Sequence, residues 1–237
     1  MKKEELLAVE KKKLQELEKK LKIKFKNQHL LIQAFTHSSY RNEYPDFNLE
    51  DNERLEFLGD AVLELIVSEY LYGHYPQREG LLTKWRAALV NTQSLAQTAQ
   101  DLDFGRFLLL SQGEKRNNQR AREHCLANTF EAFIGALYLD RGFKLVKPFL
   151  ENHHFKKLPE IISSGAFQDA KTVFQEKSQK EIGVTPHYQV LLASGPDHAK
   201  KFKVGLFLKD NLITQGQGSS KQEAEEAAAS KALKINN

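Results

Sequence analysis

The chain has 237 residues, 41% of them hydrophobic and 28% charged, which is enough for one large or two modest domains with a real core. Its net charge of +4 gives a weak preference for polyanionic partners. The single cysteine excludes an intrachain disulfide and a metal cage of several thiolates. Because the sequence has neither a signal-peptide pattern nor the roughly 20 apolar residues of a membrane helix, we expect a cytoplasmic protein without a membrane partner.

The first two thirds of the chain are predicted to be helical. Apolar residues three or four apart define five segments: residues 1–22, a segment from about 27, a segment from 51 or 52 to 75, residues 82–100, and residues 122–140. Asp51 or Asn52 can cap the third segment, and Pro76 ends it. Gly142 is the expected stop of the last one.

The last third of the chain has a different pattern. The composition shifts near residues 161–166, which predicts a short linker (161–167), and three alternating segments after it predict strands. The elements expected there are a helix at 169–182, strands at 187–193, 201–208 and 211–217, and a helix at 221–234. The sequence therefore predicts a mainly α protein, in which an all-helical domain (1–160) is followed by a small α+β domain of order α-β-β-β-α (168–237).

Three carboxylates share one face of the helix that begins near residue 52. Glu53, Glu56 and Asp60 fall within an arc of roughly 60°, because each helical residue advances about 100°. Like charges on one stripe repel each other and resist burial unless a cation lies between them. Magnesium is held by carboxylates and keeps several waters, which suits phosphodiester hydrolysis. The stripe therefore predicts a metal-dependent enzyme.

A second set of metal ligands is expected on another helix, because a metal site needs ligands from more than one element. Asn128 and Glu131 are three residues apart and share one face of an otherwise apolar helix. An isolated pair of this kind is also typical of a solvated stripe. Together with the first acidic stripe, the pair favours a metal site.

The segment Asn52–Leu63, with the sequence NERLEFLGDAVL, resembles the signature of the ribonuclease III family. Residues 36–40, 79–83 and 133–140 continue the resemblance, which covers nearly the whole chain in the domain order of bacterial members. It implies a Mg²⁺-dependent endoribonuclease, with Mn²⁺ as a substitute and no small-molecule cofactor. Such enzymes cleave double-stranded RNA to 5′-phosphate and 3′-hydroxyl ends as homodimers, in the processing of mRNA and of rRNA precursors.

The resemblance also implies roles for single residues. The metal ligands it implies are Glu56, Asp60, Asn128 and Glu131. Asp60 and Glu131 match the catalytic carboxylates. Glu53 and Glu79 match accessory acidic positions that line the same valley. Phe57 matches an aromatic residue at the dimer interface, although an ordinary core phenylalanine is an equal alternative on the sequence alone.

Position 128 departs from the family pattern, which has aspartate as the fourth ligand. Asparagine keeps a carbonyl oxygen that can bind Mg²⁺, but it brings no negative charge. Either the site still binds metal, more weakly, or the chain binds duplex RNA and cuts it slowly or not at all. Retained activity is favoured, because Glu56, Asp60 and Glu131 all remain.

The α-β-β-β-α module resembles a double-stranded-RNA-binding domain, which spans about 16 base pairs and reads mainly their shape. The contacts that this implies are Thr172, Gln175, Glu176 and Gln179 on the first helix, His198 in the loop between the first two strands, and Ser220 and Lys221 at the last helix. Family members often carry two successive lysines where this chain has Lys221-Gln222. The missing cation is expected to lower phosphate affinity, with Lys200, Lys201 and Lys203 as candidates to compensate.

Three further signals are interpreted as structural. His153 and His154 are adjacent and have no ligand cluster around them, which favours a solvated loop. Cys125 is expected to be a small buried hydrophobe. The segment Gly216-Gln217-Gly218 lacks the third glycine of a nucleotide-binding motif and is expected to be a loop.

Overall fold

Helices form the first of two units into which the chain divides, Met1–Ser164 and Gly165–Asn237. The computed structural model describes residues 3–45, 47, 49–116, 118–164, 170–196 and 200–235, without the side chains of residues 3–8 and 164. Within these described residues, no helix is both long enough and apolar enough to cross a lipid bilayer.

The first unit follows the predicted helical pattern, with more and shorter helices than expected. The helices are α1 (Lys3–Leu21), α2 (Gln28–Ala34), α3 (Ser38–Glu43), α4 (Glu53–His74), α5 (Glu79–Val90), α6 (Thr92–Asp101), α7 (Gln119–Arg141), α8 (Phe143–His153) and α9 (Leu158–Ser164). Short 3₁₀ turns lie at Phe104–Arg106, Glu114–Arg116 and Phe155–Lys157. The long helices α4 and α7 pack against each other and position the candidate site described below.

An aromatic cluster fills the core beside α7. The ring of Phe133 meets the rings of Phe25, Phe35 and Phe104 edge to face, with centroids 5.8, 6.2 and 5.2 Å apart. Phe133 is completely buried, as are most side chains in the second half of α7. Each such ring pair contributes about 0.5–1.5 kcal/mol beyond the burial of its area, so the cluster fixes α7 firmly in the core.

The predicted single helix over residues 82–100 is wrong, because Asn91 divides it into α5 and α6. Asn91 has an extended backbone, with φ −72° and ψ 156°. Its side-chain oxygen accepts a hydrogen bond from the N–H of Ser94 at 2.8 Å. Asparagine is a favoured N-cap, and this local bond outweighs the continuous apolar spacing that predicted one helix.

The second unit has the predicted α-β-β-β-α order, which is thereby confirmed. Its elements are α10 (Ala170–Ile182), β1 (His187–Ser194), β2 (Lys201–Leu208), β3 (Asn211–Gly218) and α11 (Lys221–Ile235). The strands form an antiparallel sheet of order β1-β2-β3, with a bulge between Val190 and Leu192. Phe174 of α10, Leu206 of β2 and the alanines of α11 form the core.

The glycines at residues 216 and 218 lie in β3, so the predicted loop at this position is wrong. A Cβ atom on Gly216 would lie 2.0 Å from the carbonyl oxygen of Ala224 and 2.3 Å from the amide nitrogen of Ala228. The hydroxyl of Thr214 also donates a hydrogen bond to the Ala228 carbonyl at 2.7 Å. The alanine-rich face of α11 therefore lies directly on the backbone of β3.

The expectation that both adjacent histidines are solvated is wrong for His154, which is completely buried. Its Nε2 lies 3.1 Å from the carbonyl oxygen of Leu89 and its Nδ1 lies 2.8 Å from the hydroxyl of Thr98. A carbonyl can only accept, so Nε2–H donates to Leu89 and Nδ1 accepts from Thr98. Burial lowers the pKa of His154 to about 4. The neutral ring therefore joins the ends of α5, α6 and α8.

The buried His154 ring makes the unfolding free energy depend on pH in the acidic range. Unfolded His154 binds a proton below its ordinary pKa of 6.5, whereas folded His154 does so only below about 4. Its stabilisation is therefore complete above pH 6.5 and is lost as the pH falls towards 4. We expect a loss of about 2 kcal/mol by pH 5, from a total on the order of 3 kcal/mol.

Urea unfolding of the full chain at pH 7.5 and pH 5 measures this loss. The His154→Gln variant is the control, because glutamine keeps a donor and an acceptor but does not titrate. The difference in unfolding free energy between the two pH values should be smaller in the variant. An equal pH dependence in both chains would contradict the assignment.

Candidate active site

Two glycines bring the backbones of α4 and α7 into contact. A Cβ atom on Gly59 would lie 1.8 Å from the carbonyl oxygen of Glu131, and one on Gly135 would lie 2.3 Å from the carbonyl oxygen of Leu55. Both distances are far below the 3.0 Å that real Cβ atoms keep from other heavy atoms. The two helices therefore cross at a separation that only glycine allows at these positions.

The crossing places the predicted metal ligands of the two helices within electrostatic range of one another. The side-chain N–H of Asn128 donates a hydrogen bond to the carboxylate of Glu56. The negative charges of Asp60 and Glu56 both act on Glu131, and that of Glu53 acts on Glu56. Four acids and one amide thus form one electrostatic cluster, which we call the acidic cluster.

The acidic cluster carries more negative charge than its surroundings balance. Burial, followed by the charges of Asp60 and Glu56, raises the pKa of Glu131 to about 8. Burial and the charge of Glu53 raise the pKa of Glu56, while the hydrogen bond from Asn128 opposes this rise. A cation between the carboxylates would reverse both shifts.

The donor set of the acidic cluster fits a hard divalent cation, because all its ligand atoms would be carboxylate or amide oxygens. Among the described residues, however, no three His, Cys, Asp or Glu side chains already stand together as a group that could hold a metal ion. Asn128 would be a fourth oxygen ligand from outside that residue set, and it hydrogen-bonds Glu56. The cluster therefore has ligand atoms of the right kind for a hard divalent cation, but its side chains do not converge on one point in this structure.

Glu79 lies at the first residue of α5 and is exposed. Its carboxylate accepts a hydrogen bond from the hydroxyl of Thr83 at 3.0 Å, and it lines a groove together with Tyr72 and Arg86. In the part of the chain that the structure describes, no hydrogen bond or ion pair joins Glu79 to the acidic cluster. Its role as an accessory acid stays a prediction.

Phe57 is not a core residue, so that alternative is wrong. Its side chain is 82% exposed, although it lies on α4 between the buried Leu55 and Gly59. It borders a groove of about 600 Å³ that Leu58 and Leu139 also line, and Leu139 is itself 53% exposed. Exposed apolar side chains grouped around a groove are typical of a protein–protein contact.

In the second unit, the predicted RNA contacts lie on two helices. On α10, Gln175, Glu176 and Gln179 are exposed and Thr172 is half-buried; Ser220, just before α11, and Lys221, its first residue, are exposed. His198 lies outside the described residues. The Ser220 hydroxyl oxygen accepts from the N–H of Glu223 at 3.1 Å, and the Glu223 carboxylate accepts from the N–H of Ser219 at 2.7 Å. This reciprocal cap leaves the hydroxyl hydrogen of Ser220 as a donor.

Two of the lysines expected to compensate for Gln222 lie close to the start of α11. Lys201 and Lys203 of β2 line a cavity of about 360 Å³ together with Ser219. Lys203 pairs with Gln217 on β3, two residues before Ser219. The strand register therefore carries lysine charge to the same end of the sheet at which α11 begins.

Two family models match the chain over its two units. Residues 27–158 match the Ribonuclease-III-like model, and residues 170–236 match the double-stranded RNA binding motif. The chain belongs to the ribonuclease III family. It is a double-strand-specific endoribonuclease with a double-stranded-RNA-binding domain, and membership in the family implies a divalent-metal requirement.

Relatives and solved structures agree with this assignment. Ribonuclease 3 of Nitratiruptor sp. is 44% identical over 94% of this chain and 97% of its own length. Ribonuclease 3 of Geobacillus thermodenitrificans is 50% identical over 93% of this chain and 90% of its own length. The nuclease domain of ribonuclease III from Campylobacter jejuni is 41% identical, with a TM-score of 0.56 over 62% of this chain and 99% of that domain. That structure is described as flexible in a region involved in dimer formation.

Sequence reasoning missed Gly59 and Gly135 as residues that form the site. The signal was present, because Gly59 and Gly135 lie in helix interiors, each six residues from the nearer helix end. Glycine costs about 1 kcal/mol relative to alanine in a helix interior, so its presence there indicates close packing.

The backbone contact between α4 and α7 can be tested by glycine-to-alanine variants, with a third glycine of α4 as the control. Alanine at Gly59 or Gly135 should force α4 and α7 apart, lower the unfolding free energy by about 1–3 kcal/mol and reduce cleavage on the order of 100-fold. Gly73 also lies in α4, but a Cβ atom there meets nothing within 4 Å. Gly73→Ala should therefore keep full activity and gain about 0.5–1 kcal/mol.

Urea unfolding and cleavage of a long RNA duplex by the three variants check these values. Full activity of Gly59→Ala and Gly135→Ala would show that the helix contact does not position the acidic cluster.

Proposed function

We propose that this ribonuclease III family member is a Mg²⁺-dependent homodimer that cleaves double-stranded RNA to 5′-phosphate and 3′-hydroxyl ends, with Asp60 and Glu131 as catalytic carboxylates. The observation that supports the proposal is the electrostatic coupling of Glu56, Asp60 and Glu131 across the α4–α7 crossing, together with the hydrogen bond from Asn128 to Glu56. A half-buried acidic cluster with the pKa of Glu131 raised to about 8 is an environment that a divalent cation would stabilise.

The residues of the acidic cluster would differ in the charge that they bring to the metal. Glu56, Asp60 and Glu131 supply anionic oxygens for the metal, and Asn128 supplies a neutral one. When bound, Mg²⁺ supplies charge stabilisation for the phosphoryl oxygens and lowers the pKa of water. Asp60 and Glu131 would orient the attacking water, so that the 3′ oxygen leaves and the phosphate stays on the 5′ end.

A homodimer would allow the enzyme to cut both strands of the duplex. One acidic cluster cannot reach both strands of a duplex in a single docking, whereas two related by symmetry can cut one strand each. The exposed side chains of Phe57 and Leu139 provide apolar surface for such a contact. The products would carry short 3′ overhangs, and rRNA and mRNA precursors with duplex segments are the substrates we propose, in the cytoplasm.

Asn128 sets the metal dependence that we expect. Ligand charge determines affinity for hard cations, so Asn128→Asp should lower the half-saturating Mg²⁺ concentration about tenfold, equivalent to about 1.4 kcal/mol. Titrations of Mg²⁺ and Mn²⁺ against cleavage of a long duplex measure this shift. The matched control is Asn118→Asp, which makes the same chemical change at the exposed N-cap of α7, where the side-chain oxygen accepts the N–H of Ala121 and aspartate can do the same.

The same metal titrations distinguish an active enzyme from a protein that only binds RNA. The Ribonuclease 3 relatives do not favour that alternative. If the parent chain cuts at no metal concentration while Asn128→Asp cuts readily, activity with asparagine at this position is refuted.

Duplex binding by the second unit should depend on the lysines near the start of α11. We expect Lys221→Ala and Lys203→Ala each to make the slope of log affinity against log salt shallower by about one unit. Lys234→Ala, at the other end of α11, is the control and should change neither slope nor affinity. Fluorescence anisotropy with duplex RNA in metal-free buffer measures the slopes. An effect of Lys221→Ala without one of Lys203→Ala would refute compensation for Gln222.

A further inference from the structure

A groove of about 620 Å³ lies on the first unit, between α1 and residues 22–28, which lead into α2. We call it the lysine groove, after the cationic side chains that line it: Lys11, Lys19, Lys22, Lys24 and Lys26. All five are exposed. No ion pair found among the described residues involves any of the five.

The fold holds the connecting segment in place and turns its lysines outward. Ile23 and Phe25 are buried, so the lysines that alternate with them face solvent. The carboxylate of Glu18 accepts the N–H of Phe25 at 2.7 Å. Asp140, at the end of α7, accepts the backbone N–H groups of Lys26 and Asn27 at 2.9 and 2.8 Å. Alternate residues of an extended segment stand about 6–7 Å apart, so the charges form a spaced row.

The positive charge of the lysine groove is not balanced locally. Glu18 and Asp140, the two carboxylates that accept its backbone N–H groups, keep their negative charges but are fewer than the lysines. Arg141 adds a further cation, because its guanidinium donates to the carbonyl of Lys24 at 2.7 Å. Six cations therefore face two carboxylates, a balance that attracts a polyanion.

The lysine groove is separate from the acidic cluster. Glu131 and Asp140 are nine residues apart on α7, which corresponds to about 14 Å along the helix axis. Arg141 lies beside the groove with its guanidinium bound to the Lys24 carbonyl, and the described residues that line the groove include no arginine and no exposed aromatic ring, since Phe25 is buried. Lysine ammonium groups act as point charges for phosphates and do not read base edges.

We propose that the lysine groove binds the phosphodiester backbone of duplex RNA and anchors the substrate on the nuclease unit away from the cleavage site. This inference rests on the proposed function, because it takes the RNA substrate as the ligand. Contacts of this kind add affinity and salt dependence without sequence preference. The groove would therefore favour duplexes long enough to reach it from the acidic cluster.

The test is a charge-removal variant of the full chain, Lys19→Gln/Lys24→Gln/Lys26→Gln. These changes keep the backbone groups that bind Asp140 and Arg141. The matched control, Lys12→Gln/Lys156→Gln/Lys234→Gln, loses the same net charge from exposed lysines outside the groove. The probe is an RNA duplex of about 40 base pairs, more than twice the span of one RNA-binding domain.

Binding is measured in metal-free buffer between about 50 and 200 mM salt, and cleavage is measured with Mg²⁺. We expect the groove variant to have a slope of log affinity against log salt that is two to three units shallower than that of the control. Its KM for the long duplex should rise about tenfold while kcat stays unchanged, because the groove holds substrate without touching the reacting atoms. The Lys→Arg triple at the same positions should restore both values.

Equal slopes and equal KM values for the groove variant and the control would overturn the proposal. A weaker affinity for anionic lipid vesicles with no change in RNA binding would overturn it as well, in favour of a membrane surface. A parent chain that neither binds nor cuts duplex RNA would instead refute the proposed function. Urea unfolding of each variant confirms that the comparison is made between folded proteins.

Discussion

The backbone contact of α4 and α7 at Gly59 and Gly135 is the constraint on which the catalytic unit depends. No larger residue fits there, so the crossing of the two helices is fixed, and with it the positions of acids on both. Burial, and after it repulsion by the charges of Asp60 and Glu56, raises the pKa of Glu131 to about 8. The buried aromatic cluster around Phe133, half a turn further along α7, supplies the packing that offsets this repulsion.

In the RNA-binding unit, a glycine likewise allows close backbone packing, here between a strand and a helix. Gly216 lets the backbone of β3 touch the alanine-rich face of α11, where even a methyl group would clash. This contact leaves little freedom in the position of α11 relative to the sheet. Lys201 and Lys203 of β2 are consequently held at the same end of the unit as Ser219, which leads into α11. In both units a glycine contact deep in the fold sets the geometry of a charged surface.

The sequence predicted the elements whose cause is local and missed those whose cause is tertiary. Helix and strand periodicity, and the spacing of Glu56, Asp60 and Glu131 on helix faces, were readable because they depend on neighbours along the chain. The burial of His154 was not readable, since its partners Thr98 and Leu89 lie 56 and 65 residues away. The exposure of Phe57 likewise follows from how α4 packs. The break at Asn91 was missed for a different reason. Its capping signal is local, but the prediction gave more weight to the continuous apolar spacing.

The reciprocal cap at the start of α11 has a consequence for the thermodynamics of RNA recognition. The bonds between Ser219, Ser220 and Glu223 order the first turn of the helix without any ligand. A helix end that frayed in solution would have to be immobilised when a phosphate arrives, and that loss of conformational entropy would weaken binding. Here the turn is already ordered, so association forfeits little entropy at this site. The unit meets its duplex as a preorganised surface rather than as one that folds on contact.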